Sequence, residues 1–332
     1  MSRGQTRFMD PNTPDRRTIE TVLSLATRAP SIHNSQPWRW QVRPDGLLLF
    51  ADTDRALPQA DPDSRDLLLS CGAALHHAIV GLASLGWRAE VHRFPDPDQP
   101  DLLATVQMRP GPAAGSDVPL AAAIPCRRTD RRMFSPWHVP DADIAVMGAR
   151  AARAGVMLRQ VQRLPELQEI VARAVRQHAT DHAYLAELST WSGRYASLAG
   201  VPARNTPRSD PRATPPGRVF AGPMLAQPET GSAADGAAVL ALGTKADNPL
   251  WRLRAGEATS LVLLTATTLG LASCPVTEPL EIDATRSAVR DDVFGDHGHP
   301  QMLLRIGWAP VNADPLPATP RMPTSAVVEW QS

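Results

Sequence analysis

The chain has 332 residues, 43% of them hydrophobic, with 34 Lys plus Arg balanced by 34 Asp plus Glu. That length and apolar share are enough to bury a large core, and zero net charge leaves no overall field to draw the chain to nucleic acid or an anionic membrane. Lys245 is the one lysine, and its setting GTKADN is not a phosphate-loop pattern. Cys71, Cys126 and Cys274 lie far apart without CxxC spacing, and the N-terminus is polar, which fits a reducing cytoplasm. The longest apolar run, 261–272, is broken by threonines and too short to span a bilayer.

The first expected helix starts at Thr18, places Ile19, Val22, Leu23, Leu25 and Ala26 on one side, and stops at Pro30. Residues 29–40 then read APSIHNSQPWRW, with Ser31, Asn34, Ser35 and Gln36 crowding short polar groups together. The stretch reads either as a capped connection or as a ledge of hydrogen-bonding groups for a planar, heteroatom-rich ligand. An alternating strand over 38–42 turns at Pro44-Asp45-Gly46 into 47–50. Asp61-Pro62-Asp63 marks a helix start, and 67–85 is apolar nearly all round and ends at Gly86, as suits the middle of a core. Segments 88–94 and 104–109 alternate as a hairpin.

The second half repeats parts of this pattern. Gly256 and Gly270 are spaced as Gly72 and Gly86 are, and the same alignment matches Asp63 with Asp247, Leu69 with Leu253 and Ala74 with Ala258. ATRAP at 26–30 likewise resembles AARAG at 151–155. The copies diverge after that point: VMLRQV at 156–161 alternates as a plain strand, so only the first copy keeps the polar ledge. One long helix is expected over 164–191. Residues 192–235 lose all periodicity and carry seven prolines between Pro202 and Pro228, which reads as a disordered segment or a lid. A strand at 237–242, helices at 247–270 and 284–293, a strand at 302–308 and an extended tail complete the chain.

The densest charge is CRRTDRRMF, where Arg127, Arg128, Arg131 and Arg132 surround Thr129. Four planar forks of donors and a hydroxyl suit a phosphate, and a solvated positive face is the alternative. His178 and His182 are one helical turn apart without the glutamate of a metalloprotease helix, and no spacing implies a third ligand, so no metal is assigned. GxSxG and GxGxxG are both absent, and no acid–base constellation marks a catalytic residue.

Together, PSIHNSQPW at 30–38, RRTDR at 127–131, Leu269-Gly270-Leu271 and the tail from Arg321 to Val328 resemble the FMN-dependent nitroreductase superfamily. The order, with the ledge before the arginine motif, resembles its single-chain fused-dimer group, the Acg-type proteins, over nearly the whole length. The resemblance implies an α+β fold: an α/β/α sandwich with a mostly antiparallel sheet, two related halves in one chain forming a pseudo-dimer. It places one half at 1–120 with the ledge and the other at 121–332 with the arginine motif, a lid at 192–235 and the tail. FMN is the implied cofactor, with NAD(P)H as electron donor and nitroaromatics or quinones as acceptors. The alternative is a protein that holds FMN under its lid, with Tyr195 and Phe220 over it, and turns over little. The implied cofactor-binding set is Pro30, Ser31, Asn34 and Gln36 on the ledge, Arg127, Arg128, Thr129, Arg131 and Arg321 toward the phosphate, and Thr277 and Glu278 at the reactive edge. A monomer without nucleic-acid or membrane partners is expected.

Overall fold

The computed structural model describes residues 13–193, 197–208, 210, 212–213, 215, 218–227 and 235–331. Helix α1 (Arg16–Ala26) begins where the Asp15 carboxylate accepts from the Thr18 amide at 2.7 Å, and it buries Ile19, Val22, Leu23 and Ala26. The ledge follows, then the hairpin β1 (Trp38–Arg43) and β2 (Gly46–Ala51). Helix α2 (Arg65–Ser84) is capped from a distance: Asp61 accepts from the amides of Asp66 at 2.9 Å and Leu67 at 2.7 Å. Strands β3 (Trp87–Arg93) and β4 (Leu102–Pro110) form the expected hairpin.

Helices α3 (Asp117–Cys126) and α4 (Asp141–Arg153) lead to β5 (Met157–Gln160). The single helix expected over 164–191 is two, α5 (Leu164–Ala179) and α6 (His182–Trp191). Asp181 breaks it by accepting from the amides of Ala183 and Tyr184, which caps a new helix instead of continuing the old one. Strand β6 (Ala238–Thr244), helix α7 (Pro249–Thr268) and strand β7 (Ala272–Val276) come next. Helix α8 (Asp283–Val289) is shorter than the expected 284–293, because the chain widens into a π turn over 290–294. Strands β8 (His299–Gly307) and β9 (Val328–Trp330) end the chain.

The strands form two sheets, ordered β3-β4-β2-β1-β9 and β5-β6-β8-β7. Every pairing is antiparallel except β1 with β9, so the fold is α+β with mostly antiparallel sheets. From the other edge the second sheet reads β7-β8-β6-β5, which repeats β3-β4-β2-β1 strand for strand. Helix α7 connects β6 to β7 as α2 connects β2 to β3. The segment carrying α5, α6 and 192–235 enters between β5 and β6, where the first sheet has only the tight turn at Asp45.

Helices α2 and α7 pack on each other, α2 lying on the first core and α7 on the second. Burial on both sides is why α2 is apolar all round. Their crossing is reciprocal: a Cβ on Gly72 would lie 2.0 Å from Leu253 O, and one on Gly256 would lie 2.1 Å from Leu69 O. His76 and Ser260, at the same sequence offset, are joined at 2.8 Å. Reciprocal contact at one constant offset is the signature of a two-fold relation. The tail crosses back, and β9 closes the edge of the first sheet beside β1.

Candidate functional site

The ledge holds three non-glycine residues at positive φ: His33, Asn34 and Gln36. Such conformations cost about 1–3 kcal/mol each and persist only where neighbours fix them. Here Ser31 Oγ accepts from the Gln36 amide at 3.0 Å, and the Ile32 amide donates to Ser70 Oγ on α2 at 3.0 Å. Asn34 Nδ2 donates to Gly200 O at 3.0 Å and Pro320 O at 3.2 Å, so one amide ties the ledge to both the proline-rich segment and the tail. Gln36 does the same by donating to Leu198 O at 2.8 Å and accepting from the Met322 amide at 2.8 Å.

These contacts frame a cavity of about 160 Å³, lined by Pro30, Ser31 and Asn34 of the ledge, Arg127, Thr129 and Arg131, Thr277 and Glu278, and Arg321. A buried water needs roughly 10–15 Å³ by this measure, so the space holds on the order of ten. Arg127, Thr129, Thr319 and Arg321 also border a small adjoining recess, to which Arg28 and Arg128 are added.

The recess is strongly cationic. Among the described residues no carboxylate forms an ion pair with Arg28, Arg127, Arg128 or Arg321. Only backbone carbonyls attend them: Arg321 Nη2 donates to Arg28 O at 3.2 Å and Ala29 O at 3.1 Å, and Arg128 Nη1 donates to Pro125 O at 2.7 Å. Arg127 Nε and Nη1, with the Nε atoms of Arg28, Arg128 and Arg321, are buried without a partner. Burial, then repulsion from the neighbouring arginines, pushes Arg127 down to about 10 and Arg321 down to about 9. A guanidinium keeps its proton at ordinary pH, so these buried, mutually repelling charges stand at a cost that an anion would relieve.

The other end is built differently. Arg218, from the proline-rich segment, donates to Tyr184 Oη, to Glu281, to His33 Nε2 at 2.8 Å and to Thr277 Oγ1 at 3.3 Å, which binds that segment, the ledge, α6 and the turn after β7 together. His178 stacks on Tyr184 at 3.7 Å and reaches Glu278 at 3.2 Å. Phe220 stands between Arg131, whose guanidinium lies 4.9 Å from its ring centre, and His33, edge-on at 6.1 Å. Tyr195 lies outside the described residues.

No family model matches the chain. It is 63% identical over 323 residues to a Mycobacterium tuberculosis H37Rv protein named "Putative NAD(P)H nitroreductase Rv3131", covering 97% of this chain and 94% of that one. It is 37% identical over 320 residues to "Putative NAD(P)H nitroreductase acg" of the same organism, covering 93% of this chain and 94% of that one. The chain belongs to the Acg-type nitroreductase family. A solved "FMN and NADPH-dependent nitroreductase NfnB" from a sphigopyxis strain shows 20% identity and a TM-score of 0.38, over 64% of this chain and 99% of that one. The family assignment rests on the two full-length relatives.

In this Acg-type chain most of the residues singled out by sequence meet at the cavity. Gln36 does not line it, because the two ends of its amide are bound to Leu198 O and the Met322 amide, and Arg128 faces the recess instead. Arg132, the fourth guanidinium of the motif, takes no part in the grip. It is 3% exposed and bound to both Asp130 oxygens at 2.9 Å. Sequence reading missed Arg28, Asp66, Thr259 and Arg218. Arg28 directly precedes the ledge and was open to notice, whereas nothing local marks Asp66, Thr259 or Arg218 among the other polar residues of their segments. Among the described residues no group of three or more His, Cys, Asp or Glu side chains could hold a metal.

Proposed function

We propose that the cavity binds FMN and that the chain is an NAD(P)H-dependent flavin oxidoreductase acting on nitroaromatic or quinone-type acceptors. The cationic recess carries the reading. Several guanidinium nitrogens, buried without partners and contributed by both ends of the chain, fit a phosphate monoester of about −1.5 to −2 charge. Arg127, Arg128, Thr129 and Arg321 would hold that phosphate, Pro30 and Ser31 would border the ribityl chain and ring, and Thr277 and Glu278 would border the ring's far edge. The bound flavin supplies the two-electron chemistry, which leaves the protein to orient it and exclude water. The names of both close relatives support a nicotinamide-linked reduction.

The matching strand orders and the reciprocal glycine contacts support two related halves, 1–120 and 121–332, with 192–235 as lid, acting as a monomer that mimics a dimer. Three free cysteines support a reducing cytoplasm. Purified chain should be yellow, prefer FMN to riboflavin in fluorescence quenching, bleach with NADPH and recover its colour on a nitroaromatic or quinone. A colourless chain without affinity for added FMN would refute the proposal.

A second reading, FMN held with little turnover, draws on the Arg218 contacts and on Phe220 beside Arg131. It predicts a yellow protein that dithionite reduces and nicotinamides do not.

A further inference from the structure

His33 stands on the ledge at positive φ, is 7% exposed and borders the cavity. Arg218 decides which of its ring nitrogens carries hydrogen. Arg218 Nη1 directs its two hydrogens to His33 Nε2, at 2.8 Å, and to Tyr184 Oη, while Nη2 serves Thr277 Oγ1 and Glu281. A guanidinium only donates, so Nε2 must accept, and a neutral imidazole that accepts at Nε2 carries its hydrogen on Nδ1. Burial, then the charges of Arg218 and Arg131, holds His33 well below the ordinary imidazole range, so the ring is neutral.

Nδ1 is buried and, among the described residues, has no partner. An orphaned buried N–H is costly, and an acceptor inside the cavity would remove that cost. The other orphaned atoms on residues bordering the cavity are of different kinds. Arg127 and Arg321 offer cationic donors, Asp66 and Glu278 carboxyl oxygens, and Thr259 a hydroxyl that can turn to donate or accept. His33 Nδ1 is neutral and, with Nε2 engaged, can only donate. Cationic forks favour anions such as phosphate, whereas a fixed neutral donor suits a neutral oxygen that cannot itself donate, as in a carbonyl or nitro group. Phe220, edge-on to His33 at 6.1 Å, adds an apolar flank for a planar ligand. Arg218 also joins His33 to Thr277, so the imidazole stands beside the residues read as bordering the flavin's far edge.

We propose that His33 is a specificity-determining residue of this cavity, its Nδ1–H donating to the nitro or quinone oxygen of a neutral planar electron acceptor. The proposal rests on the flavin reading, which supplies the electrons, and it names the group that recognises the acceptor. Negative charge grows on that oxygen as the acceptor is reduced, and a hydrogen bond already in place strengthens with it. Arg218 acts through His33 and is a positioning residue: it holds the tautomer that makes Nδ1 a donor.

The first measurement needs no flavin. In protein carrying nitrogen-15 histidine, the His33 ring is identified in the nitrogen spectrum as the signal lost in His33→Asn. It should show a protonated Nδ1 and a bare Nε2 at pH 7, and Arg218→Met should move hydrogen toward Nε2. An Nε2–H tautomer or an imidazolium in the parent would overturn the proposal, as would a His33 signal unmoved by Arg218→Met. The second measurement uses oxidised, FMN-loaded protein without reductant, followed by flavin absorbance perturbation. It compares 4-nitrobenzyl alcohol with 4-isopropylbenzyl alcohol, a near-isostere whose isopropyl group offers no acceptor. The nitro compound should bind about 2–10-fold tighter, the value of one neutral hydrogen bond. His33→Leu should abolish that preference. His33→Asn, whose amide N–H can stand in for Nδ1–H and which tolerates positive φ, should restore most of it, with FMN affinity equal in all three chains. No preference in the parent, or a preference kept in His33→Leu, would overturn the proposal. A loss of FMN affinity in His33→Leu would give the donor to a flavin carbonyl and overturn it too. If the parent takes no FMN, the flavin reading fails by itself, and the same nitro preference followed by tryptophan fluorescence would still support His33.

Discussion

Arg127 is the guanidinium the proposed phosphate site places most centrally, lining both the cavity and the recess. Its guanidinium is 6% exposed, has two nitrogens without partners and borders both the cavity and the recess. A charge-assisted contact contributes about 1.5–3 kcal/mol, so Arg127→Ala should weaken FMN binding by roughly 10–100-fold in a quenching titration. Riboflavin, which has no phosphate, should bind the variant and the parent alike. Asn34 acts differently, since its amide joins the ledge to Gly200 and Pro320. Asn34→Ala should weaken FMN binding by releasing Gly200 and Pro320 together. His178→Ala should leave that affinity unchanged, because His178 stands behind Glu278 and does not line the cavity. Equal affinity in these two variants would remove the ledge from the site. The crowding of Ser31, Asn34, Ser35 and Gln36 was legible in sequence, and in the fold Asn34 and Gln36 tie this stretch to Gly200, Pro320, Leu198 and Met322. Arg218 was not, because its partners Tyr184, Glu281, His33 and Thr277 come from separate parts of the chain that only the fold brings to it.

At the scale of elements, the molecule is organised around that crossing. A Cβ at Gly72 would lie 2.0 Å from the Leu253 carbonyl, and backbone cannot swing away as a side chain can. Gly72→Ala should therefore cost about 1–3 kcal/mol or more, read as a lower denaturant midpoint. Gly115→Ala is the control: its Cβ would meet nothing within 4 Å, and the midpoint should stay within about 0.5 kcal/mol of the parent. The seam of α1 and α2 carries a pH dependence. His77 is fully buried, donates through Nδ1 to Leu25 O at 3.2 Å, leaves Nε2 unpartnered, and is held well below the ordinary imidazole range by burial and by Arg127 nearby. The folded state resists a proton that the unfolded chain accepts near pH 6.5, so the contribution of His77 is complete above that pH and is lost as pH falls below it. The slope is about 1.4 kcal/mol per pH unit for this one group. Chemical denaturation at pH 7 and pH 5 should show the loss, and a His77→Gln variant should show less of it. Apolar helices and alternating strands were readable from periodicity for the same reason that they pack. The break between α5 and α6 was hidden, because the apolar stripe of 167–175 resumes at Leu185 and Leu188 and masks the Asp181 cap.

At the scale of the whole molecule, the repeat bears on how many flavins the proposed reading allows per chain. Both sheets run in the same strand order, and α2 meets α7 reciprocally, yet among the described residues the polar ledge lies only between α1 and β1. The equivalent joint between α4 and β5 is Ala154-Gly155-Val156, with no small polar cluster. The arginine motif follows α3, and the tail returns to lay β9 beside β1 and Arg321 against Arg28 O and Ala29 O. Ledge, arginines and tail therefore meet once. Titration of flavin-free chain should reach its end point at one FMN per polypeptide, and an end point near two would require a second ledge that the sequence does not contain. If the chain acts, as proposed, as a monomer that mimics a dimer, the affinity should also be independent of protein concentration. A site shared between two chains would lose flavin on dilution through the dissociation constant of the pair, so equal FMN affinity at nanomolar and micromolar protein is the expected outcome.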